Sequence, residues 1–113
     1  MTTDKFFPDI INGHPGANIP IDGVKSHLIQ AEQQQFVFMQ FDKDTEVPEH
    51  FHEAQWGVVL DGEMELTIAG QKKKLIKGDT YYIKKNVRHA AKIKKGFTDL
   101  TLFNQPDRYK VKK

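Results

Sequence analysis

At 113 residues the chain has material for one hydrophobic core and not for two. It contains no cysteine, which excludes disulfide scaffolds, thiolate zinc sites and cysteine nucleophiles, and no apolar run approaches the ~20 residues of a membrane span. The net charge of +2 hides an asymmetry: acids dominate residues 42–65 and lysines dominate residues 71–95. Residues 1–23 carry Pro8, Pro15 and Pro20 and several glycines and read as an N-terminal arm that lays Phe6, Phe7, Ile10 and Ile11 on the body. The opening residues have neither a charged leader nor a cleavage signature, so the expected setting is the cytoplasm.

A barrel is expected over residues 24–104. Strands are predicted at 24–30 and 34–41, the second rich in aromatic and β-branched residues. A loop follows at Asp42-Lys43-Asp44, and Pro48 marks an edge or a strand start. Asp61-Gly62 between two alternating runs predicts a hairpin, with the strand from Gln55 folding back along Met64, Leu66 and Ile68. Further strands are expected at 72–76, 80–83, 89–94 and 97–103, with turns at Ala69-Gly70, Lys77-Gly78-Asp79 and Lys95-Gly96. Residues 105–113 form a basic tail expected to fray. Short strands at regular spacing, with no sustained helical period, give an all-β barrel or sandwich.

The chemistry concentrates in V-P-E-H-F-H-E-A-Q-W-G, residues 47–57. On an extended strand His50 and His52 point to the same face while Phe51 points away. Gln55 has the wrong parity for an unbroken strand, and a bend at Glu53-Ala54 brings it round. A third imidazole, His89, follows in a later strand-like stretch. The expected centre is one divalent transition metal (Zn, Ni, Fe, Mn or Cu) on His50, His52, Gln55 and His89; imidazole suits Zn, Cu, Fe and Ni, and a carboxylate would pull the preference toward Mn or Fe. Its ligands are uncharged, so the full charge of the ion is left to polarise a water or an anion. Glu53 is an alternative to Gln55, and of the adjacent Tyr81 and Tyr82 one can enter the pocket as an acid–base group. His14 and His27 carry no such pattern.

These residues resemble the cupin family over about residues 34–103. The family's first motif, H-x-H followed by Glu and, six residues on, Gly, is matched by His50-Phe51-His52, Gln55 and Gly62, with Gln55 in place of Glu. Its second, Gly, then Pro-x-Gly, His and Asn, is matched by Gly78, Lys84-Lys85-Asn86, His89 and Ile93. The resemblance implies a double-stranded β-helix jelly-roll barrel with a mononuclear metal in its mouth, held by His50, His52, Gln55 and His89. Such proteins include dioxygenases, isomerases, lyases and decarboxylases, as well as barrels without catalysis. The expected function is therefore oxygenase, isomerase or lyase chemistry on a small polar or anionic metabolite. The alternative is a non-catalytic sensor barrel whose metal is structural or absent. Trp56, Val58 and Leu60 form an apolar face away from Gln55 and Gly57, which predicts a homodimer with that face covered by the partner or by the N-terminal arm. The lysines alternate with other residues and lack interleaved aromatics, so no nucleic-acid partner is expected.

Overall fold

The computed structural model describes residues 6–112, so the first five residues of the predicted arm and Lys113 of the tail lie outside the described residues. Among the described residues nine strands follow one short helix, α1 (Asp9–Asn12). In chain order they are β1 (Val24–Gln30), β2 (Gln35–Phe41), β3 (Thr45–His50), β4 (Gln55–Asp61) and β5 (Glu63–Ile68), then β6 (Gln71–Ile76), β7 (Thr80–Ile83), β8 (His89–Ile93) and β9 (Thr98–Phe103). They form two antiparallel sheets, β1-β2-β9-β4-β7 and β3-β8-β5-β6, packed as the two walls of a jelly roll.

Alternation decides which face each strand buries. In β2, Gln35, Val37, Met39 and Phe41 point inward, while Phe36, Phe38 and Gln40 point out. From the facing sheet Met64, Leu66, Leu75 and Ile93 complete the core. The lysines of β6 lie on an edge strand, where Lys72, Lys73 and Lys74 are exposed and discourage further strand pairing. Lys74 pairs with Glu63 at 3.3 Å.

The predicted Asp61-Gly62 hairpin does not form. β4 pairs with β7 and β9, whereas β5 pairs with β6 and β8, so the chain changes sheets at this corner. A tight two-residue hairpin of type I′ needs positive φ at both central residues. Ala69 (49°) and Gly70 (82°) provide that between β5 and β6; at the corner only Gly62 is positive (76°). Turning the corner also stacks the inward residue Val59 of β4 opposite the layer holding Met64 and Leu66. A flat hairpin would have left both sets in one layer.

Pro48 lies inside β3 rather than at its start. β3 is an edge strand, and its register with β8 shifts between Val47 and His50, where a missing N–H does little harm. At the termini, Phe7 of the arm is buried against Phe38, with ring centroids 5.4 Å apart, while Ile10 is exposed. The tail does not fray over its described length. Tyr109 donates its N–H to Gln35 Oε1 at 3.0 Å and accepts from Gln35 Nε2 at 2.7 Å, and Val111 bridges Ala17. Gln35, itself buried, thus clamps the tail across the barrel rim.

Candidate metal centre

His50 closes β3 and His89 opens β8, and the two are register partners, which sets their rings 4.2 Å apart between centroids. His52 lies beyond the end of β3, in the loop to β4, so the strand-parity argument for the pair holds only for its first member. The loop itself brings the ring round. The His52 carbonyl accepts the Asn86 N–H at 2.9 Å, and the Ala54 carbonyl accepts the Asn104 N–H at 2.9 Å. Asn86 has φ 65°, so it serves where a glycine would be the usual choice and ties the segment before His89 to the His52 loop. The chain bends at Glu53, and Gln55 then opens β4 facing the interior.

The three imidazoles converge, with their ligand nitrogens within 4.8 Å of one another. Each ring spends its Nδ1 on a main-chain carbonyl: His50 on Pro48 at 2.9 Å, His52 on Glu53 at 2.7 Å and His89 on Val87 at 2.9 Å. A carbonyl oxygen only accepts, so each neutral ring carries its proton on Nδ1 and leaves Nε2 as a bare lone pair. His89 Nε2 is buried and has no hydrogen-bond partner among the described residues. Burial pushes the His52 pKa down to about 4, against the pull of the Glu53 carbonyl, with the positive charge of Arg108 and the other imidazoles adding to the depression. His89 is lowered too, again chiefly by burial. Neutral rings with convergent lone pairs are what a divalent cation requires of its ligands.

The imidazoles line a cavity of about 510 Å³ between the two sheets, which Gln55 also lines. Glu53 turns away and pairs with Lys85 at 3.3 Å. The adjacent tyrosines part company: Tyr82 is exposed, and Tyr81 is buried in the cavity wall. From β7 the Tyr81 ring crosses Gly57 of β4 and reaches β9, where its hydroxyl donates to Asp99 Oδ2 at 2.8 Å and lies 3.2 Å from Thr101 Oγ1. That crossing needs glycine, since a Cβ on residue 57 would sit 2.2 Å from Tyr81 Cζ. Gly57→Ala is therefore expected to cost about 2 kcal/mol by overpacking. Urea denaturation checks this, and an unchanged midpoint would show that the ring does not occupy that slot.

Two residues of the cavity escaped the sequence reading. Asp99 is 2% exposed; its Oδ2 accepts from Tyr81 and from Thr101 (3.2 Å), and its Oδ1 has no partner among the described residues. Burial raises its pKa to about 7, against the two hydrogen bonds. The signal was present, because Asp99 shares the inward parity of Thr101 and Phe103 on a strand whose other inward positions bury apolar or hydroxyl side chains. Arg108 left no such trace. It comes from the tail and stacks over Tyr109 (4.5 Å to the ring centroid) and Phe103 (5.6 Å), and its buried Nε lacks a partner among the described residues.

The sequence profile of the cupin domain matches residues 37–102. Among solved structures the chain is similar to an RmlC-like cupin from Shewanella frigidimarina (24% identity, 96% of each chain covered, TM-score 0.74). It is also similar to KdgF from a Halomonas species, with 22% identity over 93% of this chain and 97% of that one and a TM-score of 0.72. Oxalate decarboxylase of Bacillus subtilis matches with 18% identity over 84% of this chain and 28% of that one, at a TM-score of 0.70. No curated protein sequence matches.

Proposed function

The chain belongs to the cupin domain family, and from that premise we propose that it binds one divalent transition metal through His50, His52 and His89, with Gln55 as a fourth ligand, and acts there on a small anionic molecule. The observation that carries this reading is the shared tautomer. Three Nδ1 atoms are held by main-chain carbonyls and three Nε2 lone pairs are left facing one another. Such an ion, bound by neutral ligands, supplies Lewis acidity toward an oxygen of the substrate. Arg108, the one guanidinium or ammonium group among the described residues lining the cavity, would draw an anion into it. Tyr81, whose pKa burial raises well above its ordinary value, keeps its proton and acts as a hydrogen-bond donor rather than a base. Oxygenase, isomerase and lyase chemistry all suit this arrangement.

The test is elemental analysis after chelator treatment and reconstitution with Zn, Ni, Fe, Mn or Cu in turn. About one equivalent per chain of at least one of these ions is expected, and less than about a tenth of an equivalent of every one would overturn the reading. A second reading, a ligand-binding barrel without catalysis, draws on the cavity's largely apolar lining.

We also propose a homodimer formed through the outer face of the five-stranded sheet. Phe36, Leu102, Trp56 and Tyr82 follow one another across four strands on that face, and Trp56 is 40% and Tyr82 57% exposed. An apolar row of this kind is stable in water when a partner covers it. Sedimentation should give a dimer at micromolar concentration, and the Trp56→Lys, Tyr82→Lys double variant should give a folded monomer. A monomeric parent chain would refute it.

A further inference from the structure

The Gly57 crossing sets the Tyr81 hydroxyl between inward residues of two different strands. Tyr81 is the register partner of Gly57, and Gly57 is in turn the partner of Thr101, so the ring lies across β4 and ends over β9. Gln55 pairs with Phe103 and Val59 with Asp99, which places Gln55 and Asp99 diagonally on either side of the Gly57–Thr101 pair. The hydroxyl reaches both. It donates to Asp99 Oδ2 at 2.8 Å and also hydrogen-bonds the Gln55 side chain.

A phenol has one proton to give, and here Asp99 Oδ2 takes it. Thr101 offers no competing claim on that proton, since its own hydroxyl donates to the same carboxylate oxygen at 3.2 Å. Toward Gln55 the Tyr81 oxygen can therefore only accept, and Gln55 must offer Nε2, its one donor atom. An amide seated in this way has a single orientation, with Oε1 on the branch away from Tyr81. That matters for a ligand, because a cation takes the carbonyl oxygen of an amide and not the nitrogen.

We infer that Tyr81 is a positioning residue for the fourth metal ligand: with its proton committed to Asp99, it accepts from Gln55 Nε2 and so turns Gln55 Oε1 to the three imidazoles. This role rests on the metal-centre reading above, and it accounts for an amide at position 55. A glutamate there would set a second acceptor against the Tyr81 oxygen, with the Asp99 carboxyl on the far side of the same hydroxyl. One proton cannot serve both carboxylates.

The experiment is a double-mutant cycle read by competition titration against a chromogenic chelator, using whichever of Zn, Ni, Fe, Mn or Cu the parent chain retains best. Tyr81→Phe keeps the ring across Gly57 and removes the hydroxyl. It should lower the affinity about tenfold, the scale on which loss of a group that orients a ligand is felt. Gln55→Ala should lower it at least as much. In the Gln55→Ala chain Tyr81→Phe should then change the affinity by less than about twofold, because Tyr81 acts through Gln55. In the Gln55→Glu chain, whose two carboxylate oxygens are equivalent, Tyr81→Phe should also cost less than about twofold. A general loosening of the barrel would instead lower the affinity equally in all three backgrounds. If Tyr81→Phe does not fold, the Tyr81→Phe, Asp99→Leu double variant, which removes the hydroxyl together with the carboxyl it partners, takes its place in every arm. Unchanged affinity in Tyr81→Phe or in Gln55→Ala, or an equal loss whatever stands at position 55, would overturn the inference while the parent chain still holds its metal. A parent chain that takes up none of these ions overturns the metal reading and this role with it.

Discussion

His52→Ala is expected to lower the affinity for a divalent transition metal on the order of a hundredfold, since in the proposed four-ligand site one ligand would carry roughly a quarter of the binding free energy. The effect is large because the ligand set is already arranged. His52 is neutral well below pH 7, with a pKa of about 4, so no proton must be displaced for the ion to bind. Its ring is held by the Glu53 carbonyl at 2.7 Å, so little rotamer freedom remains to be lost. His89→Ala should behave alike, removing the nitrogen that is buried without a partner. His27→Ala serves as the control, because the His27 Nδ1 is turned to the His14 carbonyl at 3.2 Å, outside the three-imidazole group. Competition titration against a chromogenic chelator reads both effects. An unchanged affinity in His52→Ala would place the metal elsewhere.

The second large effect is on stability, and it comes from Asp99. Its carboxyl titrates near 3.8 in the unfolded chain and at about 7 in the fold, so between those values the folded state binds the extra proton. Stability from this group is therefore fully present below about pH 4 and is lost as the pH rises toward 7. About three pH units correspond to a loss on the order of 4 kcal/mol. His52 and His89 act in the opposite direction. Their pKa values are depressed by burial, so their contribution is lost as the pH falls, and the total curve for the parent chain mixes both slopes. The difference between the parent and Asp99→Asn isolates the carboxyl. That variant keeps an oxygen for the Tyr81 hydroxyl and does not ionise, so it should match the parent near pH 4 and exceed it by several kcal/mol at pH 8. Denaturant unfolding of metal-free protein at the two pH values checks this. A difference that does not change with pH would mean that Asp99 is solvated or paired in the fold.

Both effects start from residues that differ in how visible they were. His50, His52 and His89 were visible as an H-x-H spacing followed by one later strand, although His52 reaches the group from the loop after β3 and not by alternation, and the outward face of Trp56 follows from alternation. Asp99 was visible as a charged side chain at an inward strand position, but parity alone names no partner for it. Tyr81 and Tyr82 were indistinguishable until the sheet settled which face of β7 meets the core. Arg108 could not be read at all, since its place in the cavity depends on Gln35 fastening a segment seventy-four positions away.

The sequence by itself determined the class of fold, most strand positions and the division of each strand into two faces, because a period of two is a local property of the backbone. Only the tertiary structure decided which strands are neighbours. Asp61-Gly62 shows the difference: the dipeptide announces a reversal, but whether the chain returns alongside itself or crosses to the opposite wall depends on where Val59, Met64 and Leu66 find apolar partners. That is a property of the whole barrel. The same closure brings the imidazoles and Asp99 into the lining of a single cavity that no stretch of the chain contains.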